Sequence, residues 1–104
     1  MNRPAATPTV QIDDEHTRVT QWRFPPGGET GWHRHELHYV VVPITTGPLE
    51  VETPDGESRS ALTTGVSYTR PVPTEHNVVN PNDVEFVFVE IEIKARTGLA
   101  PETA

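Results

Sequence analysis

Three of the five histidines in this chain fall within six residues, His33-Arg34-His35-Glu36-Leu37-His38. In an extended segment, residues two apart project to the same face, so His33 and His35 stand side by side. Two adjacent imidazoles are a spacing suited to two ligands of one metal ion. The same alternation turns Trp32, Arg34 and Glu36 to the opposite face. The pair alone does not make a site, because five histidines among 104 residues produce such a spacing by chance often enough that context has to decide. His16, set among Asp13, Asp14 and Glu15, reads as a surface residue.

The elements able to hold such a pair are marked by punctuation. Five of the seven glycines and seven of the 11 prolines break the chain at Pro25-Pro26-Gly27-Gly28, Gly47-Pro48, Pro54-Asp55-Gly56, Gly65, Pro71-Val72-Pro73 and Asn80-Pro81-Asn82-Asp83. Glycine supplies positive φ and proline fixes φ, so these are turns. Between them lie strand-length runs at 17–24, 39–44, 49–53, 66–69 and 84–94, and no helical periodicity of useful length is present. Short strands at this spacing predict an all-β sandwich or barrel. In the last run Val87, Val89, Ile91 and Ile93 share one face, while Phe86, Phe88, Glu90, Glu92 and Lys94 share the other. With the aliphatic face inward, the two phenylalanines are left outside, and a second subunit is expected to cover them. Residues 1–9 and 97–104 read as loose tails around a single domain over 10–96.

Composition removes several classes of function. There are no cysteines, so disulfides, thiolate metal sites and a cysteine nucleophile are excluded. A formal charge of −7 and a pI near 5.1, with the basic residues scattered, argue against nucleic-acid binding. No run approaches the apolar length of a membrane span, and the first residues lack a signal-peptide core. The expectation is a soluble, cytoplasmic protein without membrane partners.

The wider spacing carries a family resemblance. Gly27, five residues, His33-x-His35 and then Gly47 follow the first motif of the cupin superfamily. Gly65, Pro71, Pro73, His76 and Asn80 follow its second, 17 residues further on. Two positions depart from it. Pro73 stands where the second motif has glycine, and the acid of the first motif is missing. Its slot falls on Tyr39 or Val40, and Val40 keeps the six-residue distance to Gly47. The segments Thr30–His35, His38–Pro43 and Glu75–Asn80 further resemble small single-domain bacterial cupins, some with names tied to β-alanine degradation and others related to quercetin dioxygenases.

The resemblance implies a single antiparallel double-stranded β-helix, a jelly-roll-like barrel. It implies a three-histidine site of His33, His35 and His76 for one divalent transition ion, with Fe(II) favoured and Mn, Ni, Cu or Zn also suited to imidazole. Three neutral imidazoles leave the ion its full charge and open positions for an anionic, chelating substrate. The leading expectation is a metal-dependent dioxygenase for a small oxygenated or carboxylate metabolite. A binding or sensing module and a non-redox isomerase or decarboxylase stay open. Tyr39, Tyr68 and His38 are the pocket candidates. A phenol at Tyr39 or Tyr68 either hydrogen-bonds a bound oxygen ligand or simply packs, and His38 is a substitute ligand, an acid–base group or a rim residue. Arg70 either clamps a substrate carboxylate or caps a surface turn. Asn80 reads as structural, tying down the turn at residues 81–83. The partners expected are a small molecule and a second copy of the chain.

Overall fold

The computed structural model describes residues 2–94. Among them regular structure is strand alone: β1 (Thr7–Asp13), β2 (Thr17–Phe24), β3 (His33–His35), β4 (His38–Pro43), β5 (Gly47–Thr53), β6 (Gly56–Leu62), β7 (Tyr68–Thr69), β8 (Thr74–Val79) and β9 (Phe86–Ile93). The strands form two sheets, β1-β2-β9-β4-β7 and β3-β8-β5-β6, and every strand-to-strand ladder is antiparallel. From β2 onward each connection crosses between the sheets except the β5–β6 hairpin, closed at Thr53↔Gly56 around the Pro54-Asp55 turn. This winding is a double-stranded β-helix, as the resemblance implies.

The core lies between the sheets. Phe24, Tyr39, Val41, Phe86 and Phe88 contribute from one sheet, and Leu49, Leu62 and Val78 from the other. Burying each such side chain is worth roughly 1.5–3 kcal/mol, which is what closes the two layers. β9 corrects the expectation for its faces. Phe86, Phe88 and Glu90 point inward, and Val89, Ile91 and Ile93 point outward. Register explains the inversion: Phe86 and Phe88 lie opposite Phe24 and Trp22 of β2, and Glu90 opposite Val41 of β4. The Phe24 and Phe88 rings pack with centroids 5.4 Å apart. The phenylalanines therefore need no second subunit to cover them.

Other boundaries shift for local reasons. The expected loose tail over 1–9 is not one: Thr7–Thr9 pair with β2, Ala6 is buried, and Ala6 N–H donates to the Glu29 carbonyl at 2.8 Å. The tail expected over 97–104 lies outside the described residues. Val66 is not part of β7, because its N–H closes a turn on the Thr63 carbonyl at 3.0 Å. Asn80 acts as expected, fully buried, with its amide donating to the Pro25 and Val84 carbonyls and its oxygen accepting from Asn82 N–H.

Candidate metal centre

Pairing of β3 with β8 sets His33 directly opposite His76. Cross-strand partners of an antiparallel pair project to the same side, and His35 joins them two residues along. The three rings meet nearly edge to face, with centroids 4.7 Å apart for His33–His35, 4.6 Å for His33–His76 and 5.2 Å for His35–His76. One nitrogen from each lies within 4.8 Å of the others.

The loop before β3 aims the first ring. Gly31 adopts φ +88°, a conformation that side-chain-bearing residues rarely take. Its carbonyl accepts from His33 Nδ1 at 2.8 Å, which engages that nitrogen and leaves Nε2 as the one available to a metal. Gly31 N–H in turn donates to the Asn77 side-chain oxygen at 2.9 Å. Such support orients a ligand and fixes its tautomer.

Burial, then the neighbouring His33, pulls the His35 ring down to about 4. Burial, then the charges of His33, His35 and Arg70, pulls His76 down to about 3. Both rings are therefore neutral at neutral pH, the form that binds a metal. Nε2 of His35 and Nδ1 of His76 are buried without a hydrogen-bond partner. An unsatisfied buried polar atom costs roughly 1–3 kcal/mol, and a cation held between the rings is one way to satisfy them. By this test the residues fit one transition ion with nitrogen ligands.

The remaining candidates separate cleanly. Tyr39 faces inward, its ring stacked 4.1 Å from that of His35, and its hydroxyl is buried without a partner. Burial pushes that phenol up to about 12 against the pull of Arg70, so it stays a hydrogen-bond donor. The slot of the missing acid is thus Tyr39's and not Val40's, since Val40 lies on the outer face of β4. Tyr68 is half-buried and lines the same cavity, with its phenol also pushed up by burial. His38 is exposed at the start of β4 and neither joins the rings nor lines the cavity. Trp32, Arg34, Glu36 and His16 are exposed, as expected. Arg70 is not a turn cap at the surface. It is half-buried and lines the cavity.

Two acids escaped the sequence reading. Glu90 Oε2 lies 3.6 Å from His35 Nε2, and Glu92 Oε2 lies 4.0 Å from His35 Nδ1. Because His35 is neutral, these are contacts with an uncharged ring rather than ion pairs. Burial, then the charge of Glu92, pushes Glu90 up to about 7, with Trp22 opposing. A carboxyl there can hold or release a proton inside the cavity at neutral pH. The signal was present in the alternation Phe86, Phe88, Glu90, Glu92, once the aromatic face is taken as the buried one. The cavity itself is narrow, about 10 Å³, room for a single water, walled by Val41, Leu49, Val51 and Phe88 around the polar groups.

Comparison with known proteins agrees with this geometry. The cupin domain family matches residues 20–92. The Beta-alanine degradation protein BauB of Pseudomonas aeruginosa is 54% identical over 92 residues, 88% of this chain and 97% of that protein. A cupin domain from Bordetella pertussis superposes with a TM-score of 0.90 at 73% identity, covering 91% of this chain and 99% of that one. A Klebsiella pneumoniae protein with a double-stranded β-helix domain, 21% identical, shares the fold at a TM-score of 0.73 over 90% of this chain and 81% of its own. With most of the barrel matched and the histidines of both motifs converging inside it, the chain belongs to the cupin family.

Proposed function

We propose that the protein is a metal-dependent dioxygenase acting on a small oxygenated or carboxylate metabolite, with His33, His35 and His76 holding one divalent ion, Fe(II) by preference. The observation that carries this reading is the convergence of three imidazoles, two of them buried with an unpartnered nitrogen. When bound, such an ion supplies the redox chemistry that protein side chains lack. The chain's own contribution is position and exclusion of water. Gly31 and Asn77 fix the His33 ring, and Tyr39 offers a hydroxyl donor beside His35. Glu90 can take or give a proton at Oε2, and the apolar walls keep bulk water out. The name of the P. aeruginosa relative supports a metabolite of β-alanine breakdown, itself a small carboxylate, as the substrate class.

Anaerobic purification, reconstitution with Fe(II) and oxygen-uptake assays against β-diketones, flavonols and short oxo acids test the reading. Uptake with one of these classes is expected. No uptake at full metal loading overturns the dioxygenase assignment. Turnover without oxygen or with Zn(II) moves the protein to isomerase or decarboxylase chemistry. A ligand that raises the melting temperature yet is recovered unchanged makes it a binding module. His76→Ala should lower metal content sharply while the barrel still folds.

The proposal includes a homodimer in the cytoplasm. No helix among the described residues is long and apolar enough to cross a membrane. Ile12, Val19, Ile91 and Val40 form one row across the outer face of the five-stranded sheet. That row carries no charge, so two copies of a −7 chain can meet there without setting like charges against each other. Ile91→Lys should shift a dimer to monomer in size-exclusion chromatography with light scattering.

A further inference from the structure

Arg70 stands apart from the other cations. Among the described residues Arg3, Arg18, Arg23, Arg34, Arg59 and Lys94 each pair with a carboxylate within 4.0 Å, and Arg70 pairs with none. Its contacts are modest, Nη2 to Ser60 Oγ at 3.3 Å and Cζ 5.5 Å from the centre of the Tyr68 ring. Glu90 lines the same cavity without forming an ion pair with it. A half-buried guanidinium facing a largely apolar cavity without a counter-ion is incomplete on its own, and its planar fork matches a carboxylate.

The position of Arg70 gives it two aspects. With Ser60, Leu62 and Tyr68 it forms a wall shared by the inner cavity and an outer groove of about 330 Å³ between β6 and β7. One side of that wall meets solvent, and the other meets His76 and Tyr39. The inner space holds about one water, so a ligand reaching the rings has to be short and has to part Tyr68 from Arg70.

We propose that Arg70 is the binding residue for the substrate's carboxylate, so that the substrate is a short oxo acid entering from the β6–β7 groove, its acid end held at Arg70 and its oxo end turned toward the three histidines. This rests on the three-histidine site as the reacting end, but the anion site is testable without it. The probes are 3-oxobutanoate and its neutral isostere 3-oxobutanamide, titrated by calorimetry into metal-free and Ni(II)-loaded protein. The wild type should bind the acid about ten-fold more tightly than the amide, the scale of one charge-assisted bidentate contact. Arg70→Gln should bring the two to parity with melting temperature and metal content unchanged, and Arg70→Lys should restore part of the preference.

A preference that survives in Arg70→Gln or a wild type that does not distinguish acid from amide overturns the assignment. Should the glutamine variant unfold, the Arg70→Lys protein alone decides. A reduced but real preference supports the anchor, and an unchanged one sinks it. Failure to take up metal with the acid preference intact defeats the metal reading and leaves the anchor standing. Full metal loading with no acid preference does the reverse.

Discussion

The side-chain amide of Asn77 joins the loop before β3 and strand β5 to β8. Its oxygen accepts from Gly31 N–H, and its nitrogen donates to Glu29 Oε1 at 2.8 Å and Glu52 Oε1 at 2.9 Å. Asn77, then Arg3, holds the Glu29 carboxyl below its ordinary range, and Arg3, then Asn77, does the same for Glu52. Asn77→Ala removes four hydrogen bonds in a buried place, two of them to carboxylates and one a long 3.4 Å contact from the Thr30 hydroxyl, so a loss of about 2–4 kcal/mol is expected in urea unfolding. Gly31 would also lose its anchor, and affinity for a divalent ion should fall about ten-fold in a competitive titration, as when support behind a ligand is removed. Tyr39→Phe separates the ring from the hydroxyl. Since that hydroxyl has no partner, metal-free stability should stay within about 1 kcal/mol or rise. Affinity of the loaded protein for oxygen-bearing ligands should fall, and an unchanged affinity would make the residue packing alone. The three histidines were legible because their spacing is local and follows motifs. Val40 keeps the six-residue distance to Gly47, but strand parity decides which side chain enters a barrel, and it favours Tyr39. Asn77 was hidden because its partners lie 25 to 48 residues away.

At the scale of elements, β9 is the strand on which the molecule turns, since it pairs with both β2 and β4. A period of two says which residues share a face, not which face is buried. Four aliphatics argued for one side, and two phenylalanines with a neighbouring aromatic cluster took the other. The energetic consequence is direct. Phe88→Ala should cost about 3–5 kcal/mol, whereas Val89→Ala, one residue along and half-exposed on the other face, should cost about 1 kcal/mol or less. Denaturant midpoints of the two variants check the inversion, and equal losses would contradict it. β6 and β8 are not legible in the sequence for a related reason. β6 reads GESRSAL, with Leu62 its one buried apolar residue, and is a strand because the Pro54-Asp55 turn folds it onto β5. β8 reads TEHNVV and buries His76 and Asn77 because β3 and β5 flank it. Polar strands show no hydrophobic period. Their partners make them.

For the molecule as a whole, the buried titratable groups set opposing limits on stability in the metal-free protein. The folded rings of His35 and His76 titrate at about 4 and about 3, against an ordinary 6.5. Below that ordinary value the unfolded chain binds protons that the folded one refuses. Their contribution is therefore complete above about pH 6.5 and is lost as pH falls toward 4. Glu90 acts with the opposite sign. Its folded carboxyl, pushed up to about 7 from an ordinary 4.5, favours the fold at low pH, and that contribution is lost as pH rises through 7. Two histidines outweigh one carboxyl between those values, so stability should climb to a maximum near pH 6.5 and then decline slightly. Urea midpoints measured from pH 4 to 8 should trace this curve, with the upper decline absent in Glu90→Gln and the acid loss reduced in His76→Ala. Added Zn(II) should raise the midpoint at pH 7, because an ion bound only by the folded rings stabilises by mass action. That gain should fade as pH falls toward 4, where protons begin to compete for the His35 and His76 nitrogens. A metal effect that His76→Ala left unchanged would mean that the ion sits on carboxylates rather than on the three histidines.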